Sequence, residues 1–277
     1  VIGTPGNYDR TSNPRPIRDL RLLGDRVYIA HGDLFANPTG LHSVYYATQS
    51  GQLVDEGAGF EERALSSMRP LDDGRLAAPG PSPVKGSGRV YLRFTGGASW
   101  IATGALSGSS AVFDAAVHEA SLWAVGVAPT PRKEAQGSAW HSEDNGRTWT
   151  RDRTFDAAIG PNPTENALVA QASLGVAAGG LFAFFDHGAC ARLLPSGGWE
   201  ARQCFDEGSP SLIYATSSSG TVVLTPSYRL LNEHLYVWDG ATATRVHFDG
   251  WVRDAGATQL GLAVLVGPPS GGAELWI

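Results

Sequence analysis

Two dipeptides of the same composition, Arg18-Asp19 and Arg253-Asp254, stand near opposite ends of the sequence, with Arg69 between them. A guanidinium group presents a planar fork that holds two oxygens of a carboxylate or other anion at once. Two or three such groups brought together would make an anion site. Asp19, Asp114 and Asp254 are the carboxylates that would pair with these arginines instead, or that would hold a structural calcium ion. His31, Asp33 and Asn37 lie in a run of turn formers from His31 to Gly40. They suit a polar ligand or the capping of their own turns. The seven histidines are scattered singly, without paired ligand spacing, so no metal centre or other cofactor is expected. A Gly-x-Ser-x-Gly elbow and a P-loop are both missing from the sequence.

The elements that must position these residues show themselves as repeats. An apolar phrase entered from a turn recurs around Val27, Leu76, Leu122, Leu181, Val222 and Leu262, at spacings of 49, 46, 59, 41 and 40 residues. Another apolar segment precedes each phrase by about nine residues, and a third strand follows, as in Ser43–Ala47 and His234–Trp238. A fourth enters through a glycine turn in five of the six units. Four-stranded meanders at this period are the mark of propeller blades. The expectation is an all-β, single-domain, six-bladed β-propeller of four-stranded antiparallel blades, with five blades as the fallback. Its blades would run over 17–57, 61–104, 110–154, 165–205, 209–248 and 251–277. Residues 1–10 would supply the last blade's missing strand and close the ring, removing exposed edges. Counted nine back from the anchors, the first-strand residues are Arg18, Ser67, Phe113, Ala172, Ile213 and Arg253. Arg18 and Arg253 would then be neighbours in a closed ring.

Composition agrees and excludes other classes. The chain has 277 residues, of which 35 are Gly and 17 are Pro, and 17% are charged. That much Gly and Pro excludes a coiled coil, and 9% aromatic residues exclude disorder. The net charge of −6 leaves no basic footprint for nucleic acid. No apolar run reaches membrane-span length, so no membrane insertion is expected. The chain begins at Val1 and is expected to be a mature or trimmed product, and its excess of Arg over Lys points to a GC-rich bacterial source. Cys190 and Cys204 flank a stretch centred on Gly197 in a Pro-Ser-Gly-Gly turn. A hairpin there sets the two cysteines opposite each other at disulfide distance. Such a bond implies an oxidising compartment, extracellular or periplasmic.

One turn carries a motif. Ser142-Glu-Asp144-Asn-Gly146-Arg-Thr148-Trp149 matches Ser-x-Asp-x-Gly-x-Thr-Trp and resembles the Asp box (BNR repeat) of sialidase-like β-propellers. Asp144 would accept amides across the turn, Gly146 would supply a positive φ, and Trp149 would re-enter the core. Reduced forms stand at Thr95–Trp100, Pro195–Trp199 and Asp239–Thr242. The resemblance implies that this turn is a folding device on the face opposite the binding face.

The resemblance also implies an arginine-held carboxylate, here through Arg18, Arg69 and Arg253. A sialidase further needs a Tyr nucleophile, a Glu partner and an acid. Tyr214, with Glu207 or Glu233, and Asp33 are the candidates. The family's opening Phe/Tyr-Arg-Ile-Pro is absent, the nearest text being Arg15-Pro-Ile-Arg18. The expectation is therefore a secreted propeller that recognises a glycan or a partner surface without catalysis. Two alternatives stand beside it: a sialidase-like glycoside hydrolase, and a structural or adhesive component of a phage or envelope assembly.

Overall fold

The structure, a computed structural model, describes residues 17–23, 26–31, 44–47, 52–55, 68–71, 73–80, 86–97, 99–109, 111–129, 135–159, 172–184, 189–204, 212–216, 222–225, 234–258, 261–267 and 274–276. These residues form six separate antiparallel sheets. Sheet one holds β1 (Ile17–Leu23), β2 (Arg26–His31), β3 (Val44–Ala47) and β4 (Leu53–Asp55). Sheet two holds β5 (Arg69–Pro70), β6 (Arg75–Gly80), β7 (Gly86–Phe94) and β8 (Ile101–Ala102), with β9 (Leu106–Ser109) on the far end of β7. Sheet three holds β10 (Ala111–His118), β11 (Ser121–Pro129), β12 (Ala135–Ser142) and β13 (Thr150–Asp152), and the helix α1 (Arg153–Ile159) follows it. Sheet four holds β14 (Ser173–Ala177), β15 (Gly180–Phe184), β16 (Ala189–Leu193) and β17 (Trp199–Gln203). Sheet five holds β18 (Leu212–Thr216), β19 (Val222–Thr225), β20 (His234–Trp238) and β21 (Ala243–His247). Sheet six has three strands, β22 (Trp251–Thr258), β23 (Gly261–Gly267) and β24 (Glu274–Trp276). Each sheet is a simple meander, so every main pairing is between consecutive strands.

Burial follows position within a sheet. The second strands β6 and β15 are buried at every residue, whereas the outer strand β21 is exposed at every residue. A strand covered on both faces reads as a continuous apolar run, which is what Leu181-Phe-Ala-Phe184 shows. The chain divides into two compact units, one of Val1–Pro129 with Trp140–Arg151, the other of Thr130–Ala139 with Asp152–Ile277. In the first, Leu71, Leu92, Leu106, Leu122 and the fully buried Trp140 form one core cluster, and Tyr28, Met68, Leu76 and Trp100 another. In the second, Phe182, Phe184, Trp238 and the two cysteines pack together, and Leu235 packs with Val252, Val264 and Val266.

One local expectation needs correction, and two features lie beyond what the repeats predict. Cys190 and Cys204 are disulfide-bonded, with Cα atoms 5.8 Å apart, but they are not opposite one another. Cys190 pairs with Arg202, so the bond runs diagonally to a cysteine just past the end of β17. The turn closes between Leu193 and Trp199, one residue earlier than a turn centred on Gly197 would have it. Second, Arg153–Ile159 form the short helix α1, which the repeats do not foreshadow. Asp152 caps this helix, accepting the amides of Thr154 and Phe155 at 2.8 and 3.2 Å. Its other oxygen takes the Trp199 indole N–H at 3.1 Å, and Phe155 meets the Trp199 ring edge-on. Third, the outer strand of sheet two is broken at Thr103–Ala105. There the Gly104 amide donates to the carbonyl of Gly146 at 2.7 Å.

The first strands carry the feature that bears on function. The ladders β1–β2, β10–β11, β18–β19 and β22–β23 each slip by one residue, at Arg18, Phe113, Tyr214 and Arg253. Each is a β-bulge, which leaves one residue unpaired and re-aims it. Opposite the bulge at Phe113 stands Gly126, paired with Val112. A Cβ on Gly126 would run into the backbone of Ala111 and Val112. Gly126→Ala is therefore expected to destabilise the protein by about 1–3 kcal/mol in urea unfolding. Gly198→Ala, where a Cβ meets open space, should stay within about 0.5 kcal/mol. Equal losses at the two positions would contradict this account of the bulge.

Candidate functional site

The two ends of the sheets differ in chemistry. At the end with the tight first-to-second and third-to-fourth turns, the Ser142–Trp149 turn forms a closed hydrogen-bond set. Asp144 accepts the Thr148 amide at 2.8 Å, the Thr148 hydroxyl at 2.7 Å and the Ser142 hydroxyl at 2.8 Å. Ser142 Oγ in turn accepts the Gly146 amide at 2.7 Å. Asn145 and Gly146 take φ of 58° and 83°, the left-handed region that Asn and Gly tolerate best. Trp149 is half-buried and packs against the Leu122–Trp140 cluster. The turn also docks on sheet two, through Gly104 and through Thr103, whose Cγ2 lies 2.6 Å from where a Gly146 Cβ would be.

A second turn of this kind lies at Asp239–Thr242. Asp239 accepts the amides of Ala241 and Thr242 at 2.9 and 2.8 Å and the Thr242 hydroxyl at 3.0 Å. Gly240 there has φ of 99°. Both carboxylates are held below the usual range by the bonds they accept. Asp144 falls to about 2, chiefly through the Thr148 amide, then the hydroxyls of Thr148 and Ser142. Asp239 is lowered chiefly by the Thr242 amide.

At the opposite end the bulges gather the candidates sheet by sheet. Arg18 is the bulged residue of β1, and its neighbour Ile17 pairs with His31, so these two candidates share one end of sheet one. Tyr214 is the bulged residue of β18 and Arg253 that of β22. Counting back from Val222 pointed to Ile213, whereas the bulge is at Tyr214, facing Val223 and Leu224 and so two residues nearer the turn than the bulges at Arg18 and Arg253. In three of the four strands the residue after the bulge is aspartate: Asp19, Asp114 and Asp254. The side chains of Arg18, Asp19, His31, Tyr214, Arg253 and Asp254 lie outside the described residues, as do Asp33, Asn37, Glu207 and Glu233 altogether.

Asp114 shows what a carboxylate does at this position. Its Oδ1 accepts the Ala115 amide at 2.9 Å, just beyond the break in the ladder. Its Oδ2 accepts Arg69 Nη1, also at 2.9 Å, in an ion pair whose side chains are 13% and 6% exposed. Arg69 is thus engaged by sheet three. Arg21 occupies the equivalent place in sheet one and reaches the Met68 carbonyl at 2.9 Å. A calcium ion on Asp114 would have to displace Arg69, and among the described residues no three acidic, His or Cys side chains are grouped to hold a metal.

Sequence reasoning missed a set of polar side chains on the outer hairpin of sheet five. His234 pairs with His247, and Tyr236 with Arg245, so all four share one face. The alternation His-x-Tyr and Arg-x-His was the signal available for it.

No protein-family model and no curated protein sequence matches the chain. Solved structures do. A streptogramin B lyase structure matches with a TM-score of 0.62 at 8% identity, over 94% of this chain and 82% of that one. The β-propeller domain of the Trilobed protease from Pyrococcus furiosus, described as having an open velcro topology, gives 0.56 at 12% identity, over 95% and 82%. Virginiamycin B lyase from Staphylococcus aureus gives 0.56 at 9%, over 94% and 83%. At such identities the likeness is one of fold. The chain has the fold of β-propeller proteins, built of four-stranded antiparallel sheets.

The turn carboxylates yield a pH test. A depressed folded-state value means that Asp144 stabilises the fold above its ordinary value of 3.8 and ceases to as pH falls through about 2. Asp144→Asn should therefore lower the melting temperature at pH 6, with the gap to wild type closing between pH 4 and 2. A gap that stays constant over that range would contradict the role given to the carboxylate.

Proposed function

We propose that the chain is a six-bladed Asp-box β-propeller whose bulge-bearing end recognises an acidic glycan or partner surface without cleaving it. The bulges carry this reading. Arg18 and Arg253 are unpaired in their ladders at equivalent positions, each followed by aspartate, and a bulge is a common means of re-aiming a side chain at a binding site. The guanidinium fork suits a carboxylate. The Ser142–Trp149 turn, with its carboxylate saturated by the turn's own donors, supports the Asp-box resemblance and a purely structural role for that end. Six sheets, the last of three strands, support six blades; residues 1–10, which would supply the missing strand, lie outside the described residues. The disulfide fits an oxidising environment, and among the described residues no helix is long and apolar enough to cross a membrane. Both suit a secreted protein. The lyase and protease names belong to the neighbours, and their activities are not carried over.

A glycoside hydrolase is the second reading, favoured by one observation. Tyr214, like Arg18 and Arg253, is the bulged residue of a first strand, on a bulge two residues nearer the first-to-second turn.

A glycan-array screen tests both, with wild type and an Arg18→Ala/Arg253→Ala variant of confirmed fold. The binding reading expects an acidic glycan bound by wild type and weakened at least about tenfold in the variant. Hydrolysis of that glycan, abolished by Tyr214→Phe, would transfer the conclusion to the enzyme. Binding to no glycan at all would contradict both sugar readings and leave the partner surface.

A further inference from the structure

We propose a second, peripheral binding site on the outer hairpin of sheet five, for the carboxylates of an acidic polysaccharide chain. It is independent of the first-strand arginines. The strand β21 is exposed along its whole length, so the face it presents is open to a long ligand. On that face Arg245 and His247 follow one another at the two-residue spacing, each opposite an aromatic residue of β20. Arg245 Nη2 lies 3.3 Å from His234 Nδ1, and the His234 ring meets Tyr236 edge-on at 5.4 Å. Tyr236 is half-buried against the Phe182–Trp238 cluster, so the pair forms a backing fixed to the core. The contact with His234 uses one nitrogen of Arg245 and sets the plane of the guanidinium group on an exposed strand.

The tautomer decides between ligand classes. With Arg245 donating, Nδ1 of His234 is an acceptor and its proton sits on Nε2. A metal bound through Nε2 would move that proton to Nδ1, against the arginine. Anions meet no such conflict, since the remaining N–H groups of Arg245 are donors and the His247 ring can supply one more. One carboxylate approaches the face, Asp249, 4.0 Å from His247 Nε2 and fully exposed. A chain with a net charge of −6 repels polyanions overall, so binding of one would have to come from a local patch such as this. The fork geometry of Arg245 selects carboxylate over a diffuse anionic field.

Biolayer interferometry at low ionic strength tests the assignment, with immobilised polygalacturonate, dextran sulfate and neutral dextran as probes. Wild type should bind polygalacturonate best, with neutral dextran inert. Arg245→Gln/His247→Gln, both at exposed positions, should lower the affinity by about tenfold or more. Arg245→Lys, which keeps the charge but loses the fork, should fall between the two. Arg202→Gln, at an exposed arginine of sheet four outside this face, should bind polygalacturonate as wild type does. No binding by wild type, unchanged binding by Arg245→Gln/His247→Gln, or a preference for dextran sulfate would overturn the proposal. Loss of binding in the Arg18/Arg253 variant alone would also overturn it, while supporting the first-strand site.

Discussion

A bulge in a first strand is the constraint around which the rest is arranged. It breaks the ladder at one residue, and the break must be satisfied and held in place. Asp114 does both, with one oxygen on the amide of Ala115 and the other on Arg69 of the neighbouring sheet. Gly126 gives the bent backbone room on the partner strand. The pair is nearly buried, so either charge left alone would be costly. Aspartate also follows the bulge at Asp19 and Asp254.

The opposite end is fixed by other means. Backbone ladders run within each sheet, and among the described residues specific polar ties join one sheet to the next, as Arg69 joins Asp114. The Gly104–Gly146 hydrogen bond breaks the outer strand of sheet two where the Asp144 turn rests on it. That turn and the Asp239 turn consume their own carboxylates, which leaves them nothing to offer a ligand. In sheet three the turn's carboxylate and the first-strand bulge lie at opposite ends of the sheet.

The meanders were legible because glycine turns and apolar phrases recur at a fixed period. The Ser142–Trp149 turn was legible because its bonds run between residues at most four apart. Bulges were not, since an inserted residue shifts the register without disturbing the apolar pattern. Counting nine back reached the bulged residue in three of the four strands and missed it in β18, whose bulge lies two residues nearer a turn that is one residue longer. Helix α1 was hidden too. It is seven residues long and exists because Asp152 caps it and Phe155 finds Trp199, 44 residues on in the sequence. The diagonal disulfide escaped because the turn's register was set by its backbone rather than by symmetry about Gly197. Of the candidate ligand residues, the sequence placed Arg18 and Arg253 at equivalent positions, and only the ladder showed what those positions are.

The central claim is that the Arg69–Asp114 pair holds the bulge and ties two sheets. A double-mutant cycle with Arg69→Met, Asp114→Asn and the two together, read by urea unfolding, measures it most directly. A coupling energy of about 1–3 kcal/mol, with each single variant costing more than its share of the double, is the predicted result. Additive single losses would mean that the two side chains act separately, and would contradict the account.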